Sequence, residues 1–198
     1  MHVPSRIAAR LLLCCAVAAT PAFALAQESA PAKPAVGTPQ VPSQVYGKLL
    51  ALMEKEFVSA AEAMPEDKFS FAPTQGDFKG VRPFGEQVKH VAIANAYFFH
   101  DPNKPTSDMK EKQDTINKLT SKADIIQALK DSFAQAHTYV DAITPENAFV
   151  TTANGTRGGM ASFGLAHLND HYGQMVVYLR MNGIIPPASR SNNQGGGD

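Results

Sequence analysis

His167 and His171 stand four residues apart in FGLAHLNDHYGQMVVYLRMNGIIPPAS, the segment from Phe163 to Ser189. On a helix, residues four apart lie one above the other, about 6 Å along the axis. Two neutral imidazoles so placed form a chelating pair for Zn, Ni, Cu or Fe(II). Taken alone, the pair reads better as two hydrogen-bonded or surface histidines. His90, in GEQVKHVAIAN, changes the weighing. It sits in the middle of a segment that is apolar nearly all round, where a lone histidine is more often a hydrogen-bonded core residue. Three mid-helix histidines, one on one helix and a pair on another, fit a three-ligand site in a helical core. Three protein ligands leave coordination positions open to water or substrate, as catalytic sites do.

Other groups near these residues are candidates for supporting roles. Glu86, one turn before His90 on the same face, is a candidate general base or partner of a ligand. A carboxylate in the first turn of a helix is also explained by the helix dipole. Gln174, with Asp170, flanks the histidine pair and is placed to orient a ring or a substrate. Tyr97 and Tyr178 are candidate pocket walls, although aromatic packing is the default for both. His2 falls in the leader. His100 stands at a helix end, and His137 lies beside a helix seam, so neither is counted as a ligand. Asn154-Gly155-Thr156 matches a glycosylation sequon and is read only as a turn. No Ser/His/Asp arrangement or Gly-rich phosphate loop narrows the reaction class.

Four helical segments must position these residues. The first runs from Ser43 to about Met64, with Val45, Leu49, Leu52, Met53, Phe57, Ala60 and Met64 at helical spacing and Ser43 as its cap. The second runs from about Pro83 to His100, with Pro83 in the first turn. The third opens at Ser121 and Asp124, which match a capping box, and carries a seam through Ile126, Leu129, Phe133, Ala136, Val140 and Ile143. The fourth runs from about Met160 to Asn182 and stops at Gly183. On its wheel, Leu165, Leu168, Tyr172, Met175, Val176 and Leu179 form the core stripe. His167 and His171 lie on one edge of it with Gly164, Gln174 and Tyr178, so the pair sits at the margin of the bundle. No segment reads convincingly as a strand. The fold class is all-α, a four-helix bundle. Its connections at 65–82, 101–120 and 144–159 are long, which permits crossovers between parallel neighbours. A short extra helix is expected within 101–120.

The ends read differently. Arg6 and Arg10, the apolar run Leu11 to Ala19 and the small residues of Ala24-Leu25-Ala26 read as a Sec-type signal peptide over residues 1–26, cut after Ala26. Residues 27–42 are a Pro- and Ala-rich flexible leader, 43–189 the bundle and 190–198 a disordered tail. The expected location is periplasmic or secreted, without stable membrane insertion after cleavage. Cys14 and Cys15, the two cysteines, are expected to leave with the signal peptide. The mature chain then has neither a disulfide nor a thiolate ligand. Lys and Arg number 18 and Asp and Glu 18; without Arg6 and Arg10 the mature chain is near −2. With no basic stripe and no Trp, no nucleic-acid role is expected. A small-molecule substrate and a homodimer remain compatible.

VRPFGEQVKHVAIANAYFF followed by FGLAHLNDHYGQMVVYLRMNGIIPPAS resembles the DinB-like superfamily of DNA-damage-inducible proteins, related to the YfiT-type metalloenzymes. The resemblance covers about Gln44 to Ser189. It implies a four-helix bundle with an unusual chain path and a three-histidine site for a divalent metal. Carried over residue by residue, the ligand on the second helix falls on His90 and the pair on the last helix on His167 and His171. Characterised relatives include thiol transferases using bacillithiol or mycothiol, a mycothiol-dependent isomerase and presumed hydrolases. The implied function is an exported, divalent-metal-binding protein (Zn, Ni or Fe) with metal-dependent hydrolase or thiol transferase chemistry. The alternative is a non-catalytic metal-binding or stress-related bundle.

Overall fold

The computed structural model describes residues 33–190. The signal-peptide segment, the first part of the leader and residues 191–198 of the tail lie outside the described residues. Residues 39–190 carry the fold. Five α-helices occur there: α1 (Pro42–Ala63), α2 (Phe84–Phe98), α3 (Met109–Asn117), α4 (Lys122–Asp141) and α5 (Arg157–Met181). The four long ones are those expected from apolar periodicity, and α3 is a short helix within 101–120. A two-stranded hairpin, β1 (Thr151–Thr152) and β2 (Gly155–Thr156), precedes α5 where only a turn was expected. None of the described helices is long and apolar enough to cross a membrane.

Side-chain contacts fix the helix order and directions. Glu62 pairs with Lys130 at 2.7 Å and Glu54 with His137 at 2.8 Å, so α1 and α4 run antiparallel. Asn95 donates to Ser132 at 3.1 Å, and Phe99 packs edge-on against Tyr139 at 5.8 Å, so α2 and α4 run parallel. Gln87 bonds Gln174, while a Cβ on Gly164 would meet Phe99, so α2 and α5 are antiparallel. The Tyr46 hydroxyl donates to the Gly158 carbonyl at 3.1 Å, at the start of both α1 and α5. The ring order is therefore α1, α4, α2, α5. α1 and α2 thus sit across the core from one another, as do α4 and α5, as the long connections allow.

Local chemistry explains where the helices begin and end. Val41 caps α1 without a side-chain bond and Pro42 occupies the first turn, so the expected cap at Ser43 lies inside the helix. Ser121 accepts from the Asp124 backbone N–H at 3.1 Å, as the capping box predicts. Thr156 caps α5 by accepting from Gly159 N–H at 3.0 Å, which starts this helix before Met160. At its end Gly183 adopts φ +73°, with Ile184 N–H on Leu179 O and Gly183 N–H on Arg180 O, both 3.0 Å. This is a Schellman ending, a conformation that glycine adopts without a Cβ penalty.

The core is continuous through Leu50, Met53, Phe57, Val88, Phe133, Leu168 and Leu179, all buried. Two expected faces are rotated. On α1, Leu50 is buried in place of Leu49, and Val45, Leu49 and Leu52 are exposed. On α5, Gly164, His171 and Tyr178 are buried while Tyr172 and Val176 are only partly so. The α5 contact face is thus turned toward the histidine pair. A wheel weighted by apolar side chains misses this, because Gly164 offers closeness rather than hydrophobic area.

Gly164 is the tightest point between helices. A Cβ there would stand 2.6 Å from Phe99 Cζ and 3.2 Å from Phe98 Cβ, and Phe99 is 1% exposed and cannot swing away. Overpacking of this kind costs about 1–3 kcal/mol, against a helix-propensity gain of up to about 1 kcal/mol. Gly164→Ala is expected to lower the guanidinium midpoint. Gly173→Ala, where a Cβ meets nothing within 4 Å, is expected to raise it. Equal shifts of one sign would show that α5 does not approach α2 this closely.

Candidate metal centre

His90 comes from the middle of α2, and His167 and His171 from successive turns of α5. Antiparallel packing of the two helices brings the three rings together. The Nε2 atoms of His90 and His171 lie 3.1 Å and 3.0 Å from Nε2 of His167. One ligand atom from each of the three lies within 4.8 Å of the others, and this is the one such group among the described residues. His171 is buried, whereas His90 and His167 are half-buried. The expected marginal position thus holds for one member of the α5 pair and not for the other.

The donor set can be tested against an ion. Nitrogens bound at about 2.0–2.1 Å around a tetrahedral centre lie about 3.3 Å apart, so shifts of a few tenths of an ångström would accommodate one. The Nδ1 atoms of His167 and His171 are buried with no hydrogen-bond partner among the described residues, and it is the three Nε2 atoms that cluster as ligating atoms. The contacts at His167 Nε2 are met either by two N–H donors or by one cation shared among three lone pairs. The three histidines fit a divalent site.

The electrostatics keep the rings neutral. Burial, followed by the charges of Arg82 and His167, lowers His90 from 6.5 to about 4. Burial and then His171 lower His167 to about 4, and burial and then His90 do the same to His171. The Asp170 carboxylate acts the other way on both α5 histidines. Neutral imidazole is the form that binds metal, so no proton need leave at neutral pH.

Around the rings the candidates separate. Gln174 donates to Asp170 Oδ2 at 3.0 Å and accepts from Nε2 of the buried Gln87. Gln87 is three residues before His90 and Gln174 three after His171. This bond therefore ties α2 to α5 one turn from the rings. Sequence reasoning missed Gln87; its polarity within an apolar run was the available signal. Glu86 pairs with Lys89 at 2.7 Å and shows no bond to the triad. Tyr178 is in the core, edge-on to Phe71, with its hydroxyl on the Arg82 carbonyl at 3.1 Å, and is not a pocket wall. His137 pairs with Glu54, and His100 bonds the Lys104 carbonyl at 3.0 Å.

A cavity of about 660 Å³ adjoins the rings, with His90 and His167 in its wall. Tyr97 and Phe98 of α2, Met109 and Ile116 of α3, and Asn154 of the hairpin also line it. Phe98 packs on the His167 ring at 5.1 Å between centroids. The triad therefore has a protein side at His171 and a cavity side at His90 and His167.

The lowered histidines set a pH dependence. Between about 6.5 and about 4 the unfolded chain binds protons that the folded metal-free protein refuses, so stability falls as pH falls through that window. Above pH 6.5 this effect is absent. The thermal midpoint of chelator-treated protein should drop more steeply over pH 6.5 to 4 than that of a His90→Gln/His167→Gln/His171→Gln variant. Parallel curves would mean that the rings are not held neutral by the fold.

A family model described as the DinB superfamily matches residues 49–175, a span that contains all three histidines and most of the four long helices. No curated protein matches the chain. The matched span exceeds half of the sequence, and the helical fold and clustered histidines lie within it. This chain is a member of the DinB superfamily.

Proposed function

We propose that the protein is an exported metalloenzyme whose His90, His167 and His171 hold a divalent transition-metal ion through Nε2. The observation that carries the reading is the convergence of three neutral imidazoles beside a cavity. Zn, Ni and Fe(II) suit this donor set. Held by these three residues, such an ion would supply Lewis acidity to a molecule in the cavity beside His90 and His167. The chain's own residues do the rest. Gln87 and Gln174 hold the two helices in register, Asp170 favours positive charge at the α5 pair, and Phe98 excludes water from one face of His167.

Hydrolysis is the leading reaction class and thiol transfer the second. Outside the cytoplasm water is always at hand, whereas a transferase needs a supplied thiol. Export rests on residues 1–26, whose basic start, short apolar run and small residues at the cleavage site mark a signal peptide cut after Ala26. The mature protein would then work in the periplasm or outside the cell on a small molecule. A non-catalytic metal-binding role would require the cavity beside His90 and His167 to be functionless. An activity screen of the metal-loaded protein against esters, amides and thiol acceptors separates the two.

His167→Ala should abolish stoichiometric metal binding by elemental analysis, since two imidazoles hold a divalent ion poorly against buffer. Helicity by circular dichroism should persist. The core around Leu168, Met175 and Leu179 is apolar, and each such buried side chain contributes roughly 1.5–3 kcal/mol. Loss of both signals would mean that the ion is structural. Full metal content in the variant would remove His167 from the ligand set.

A further inference from the structure

The cavity beside the triad differs in its charged lining from three other clefts among the described residues, each of which mixes carboxylates with basic side chains. The cleft around Arg157 sets Asp101 and Asp108 beside Lys104 and Lys112. The one beneath α3 carries Asp108, Glu111 and Asp131 with Lys112, and the one on α1 carries Glu54 and Glu62 with Lys55 and Lys130. The triad cavity has no carboxylate in its wall. Its charged side chains are Lys110 and Lys112, both from α3. Lys110 is committed only to an exposed pair with Asp114 at 2.6 Å, and Lys112 to a bond with Gln135 at 3.3 Å. Exposed pairs of this kind are weak and release an ammonium readily.

The rest of the wall is largely apolar. α2 carries it from His90 through Ile93 and Ala94 to Tyr97, a run of about 10 Å along the helix axis. Phe98, Met109 and Ile116 complete it. A ligand that fills this space buries an apolar segment longer than one ring. Its charge, if any, meets only cations in the wall.

We infer that the cavity binds an organic anion with an apolar body, an aryl- or alkyl-carboxylate, whose charged end is held by Lys110 and Lys112 and whose body lies along Ile93, Tyr97 and Phe98 beside His90 and His167. This rests on the reading of the triad as the reactive centre and names the substrate class of that centre. Lys110 and Lys112 are then the specificity-determining residues. α3, which contributes no buried residue to the core, serves as the charged wall of the site.

The chain has no Trp, so Tyr97→Trp places a single fluorescent reporter in the wall at a half-exposed position. The reporter protein is titrated with 4-phenylbutyrate, 4-phenylbutanamide and 4-phenylbutylamine, both zinc-loaded and chelator-stripped. In both forms the carboxylate should bind roughly tenfold more tightly than the amide, and the amine should give no saturable change. Lys110→Gln/Lys112→Gln on the same background should reduce that preference to near unity while helicity is unchanged, both lysines being exposed. Equal affinity for the three probes overturns the inference. So does a carboxylate preference that survives the double substitution or disappears on stripping. Metal content, measured on the same samples, reads the ligand set separately. In the zinc-treated samples, bound zinc without carboxylate preference sinks the cavity inference alone, and carboxylate preference without bound zinc sinks the metal reading alone.

Discussion

Gly164 allows α5 to approach α2 until Phe99 lies against the helix backbone, and the site depends on that closeness. The two helices are then held along their length, by Gln87 on Gln174 beside the rings and by Tyr178 on the Arg82 carbonyl beyond them. A slip of one residue along α5 turns its side chains by about 100° and would carry both histidines away from His90. The chelating geometry is thus a property of one helix–helix register, maintained by a glycine at one end and hydrogen bonds at the other.

The same packing decides how polarity is tolerated inside an apolar domain. Lys89 is buried, yet its ammonium meets Glu86 at 2.7 Å and the carbonyls of Asn117 and Leu119 at 3.1 and 3.2 Å. That charge is satisfied, and it ties the end of α3 to α2. The histidines are handled in the opposite way. They are kept neutral by burial and are given no carboxylate bonded to their rings. One buried cation is used to join elements, while the Nε2 atoms of His90 and His171 are both held within 3.1 Å of Nε2 of His167.

Much of this was legible in the residues. The periodicity of the four long helices, the Ser121 capping box and the Gly183 stop each depend on a local pattern that is complete within one segment. The HxxxH pair was legible for the same reason. His90 was joined to it by its mid-helix position in an apolar segment, and the resemblance chose the same residue, although a contact between two helices leaves no mark within either one. The rotated faces of α1 and α5 were not legible. Leu49 and Leu50 are equally apolar, and only the neighbouring helices decide which of them is buried. Gly164 carried no hydrophobic signal at all, although it sets the interhelical distance. Glu86 was a plausible base from its position one turn before His90, but Lys89, three residues on, takes its carboxylate.

The diagonal chain path also has a kinetic meaning. His90 and His167 are separated by 77 residues of chain, and closing a loop of that length costs on the order of 4 kcal/mol in its logarithmic part alone. The pair on α5 can form as soon as that helix winds, but the third imidazole arrives only when α5, the last long element, docks between α1 and α2. High sequence separation of this sort slows folding and postpones the contact. An emerging chain therefore offers at most a two-histidine clip until its final helix is in place. Tight capture of an ion by the triad would therefore mark completion of the fold and could not nucleate it.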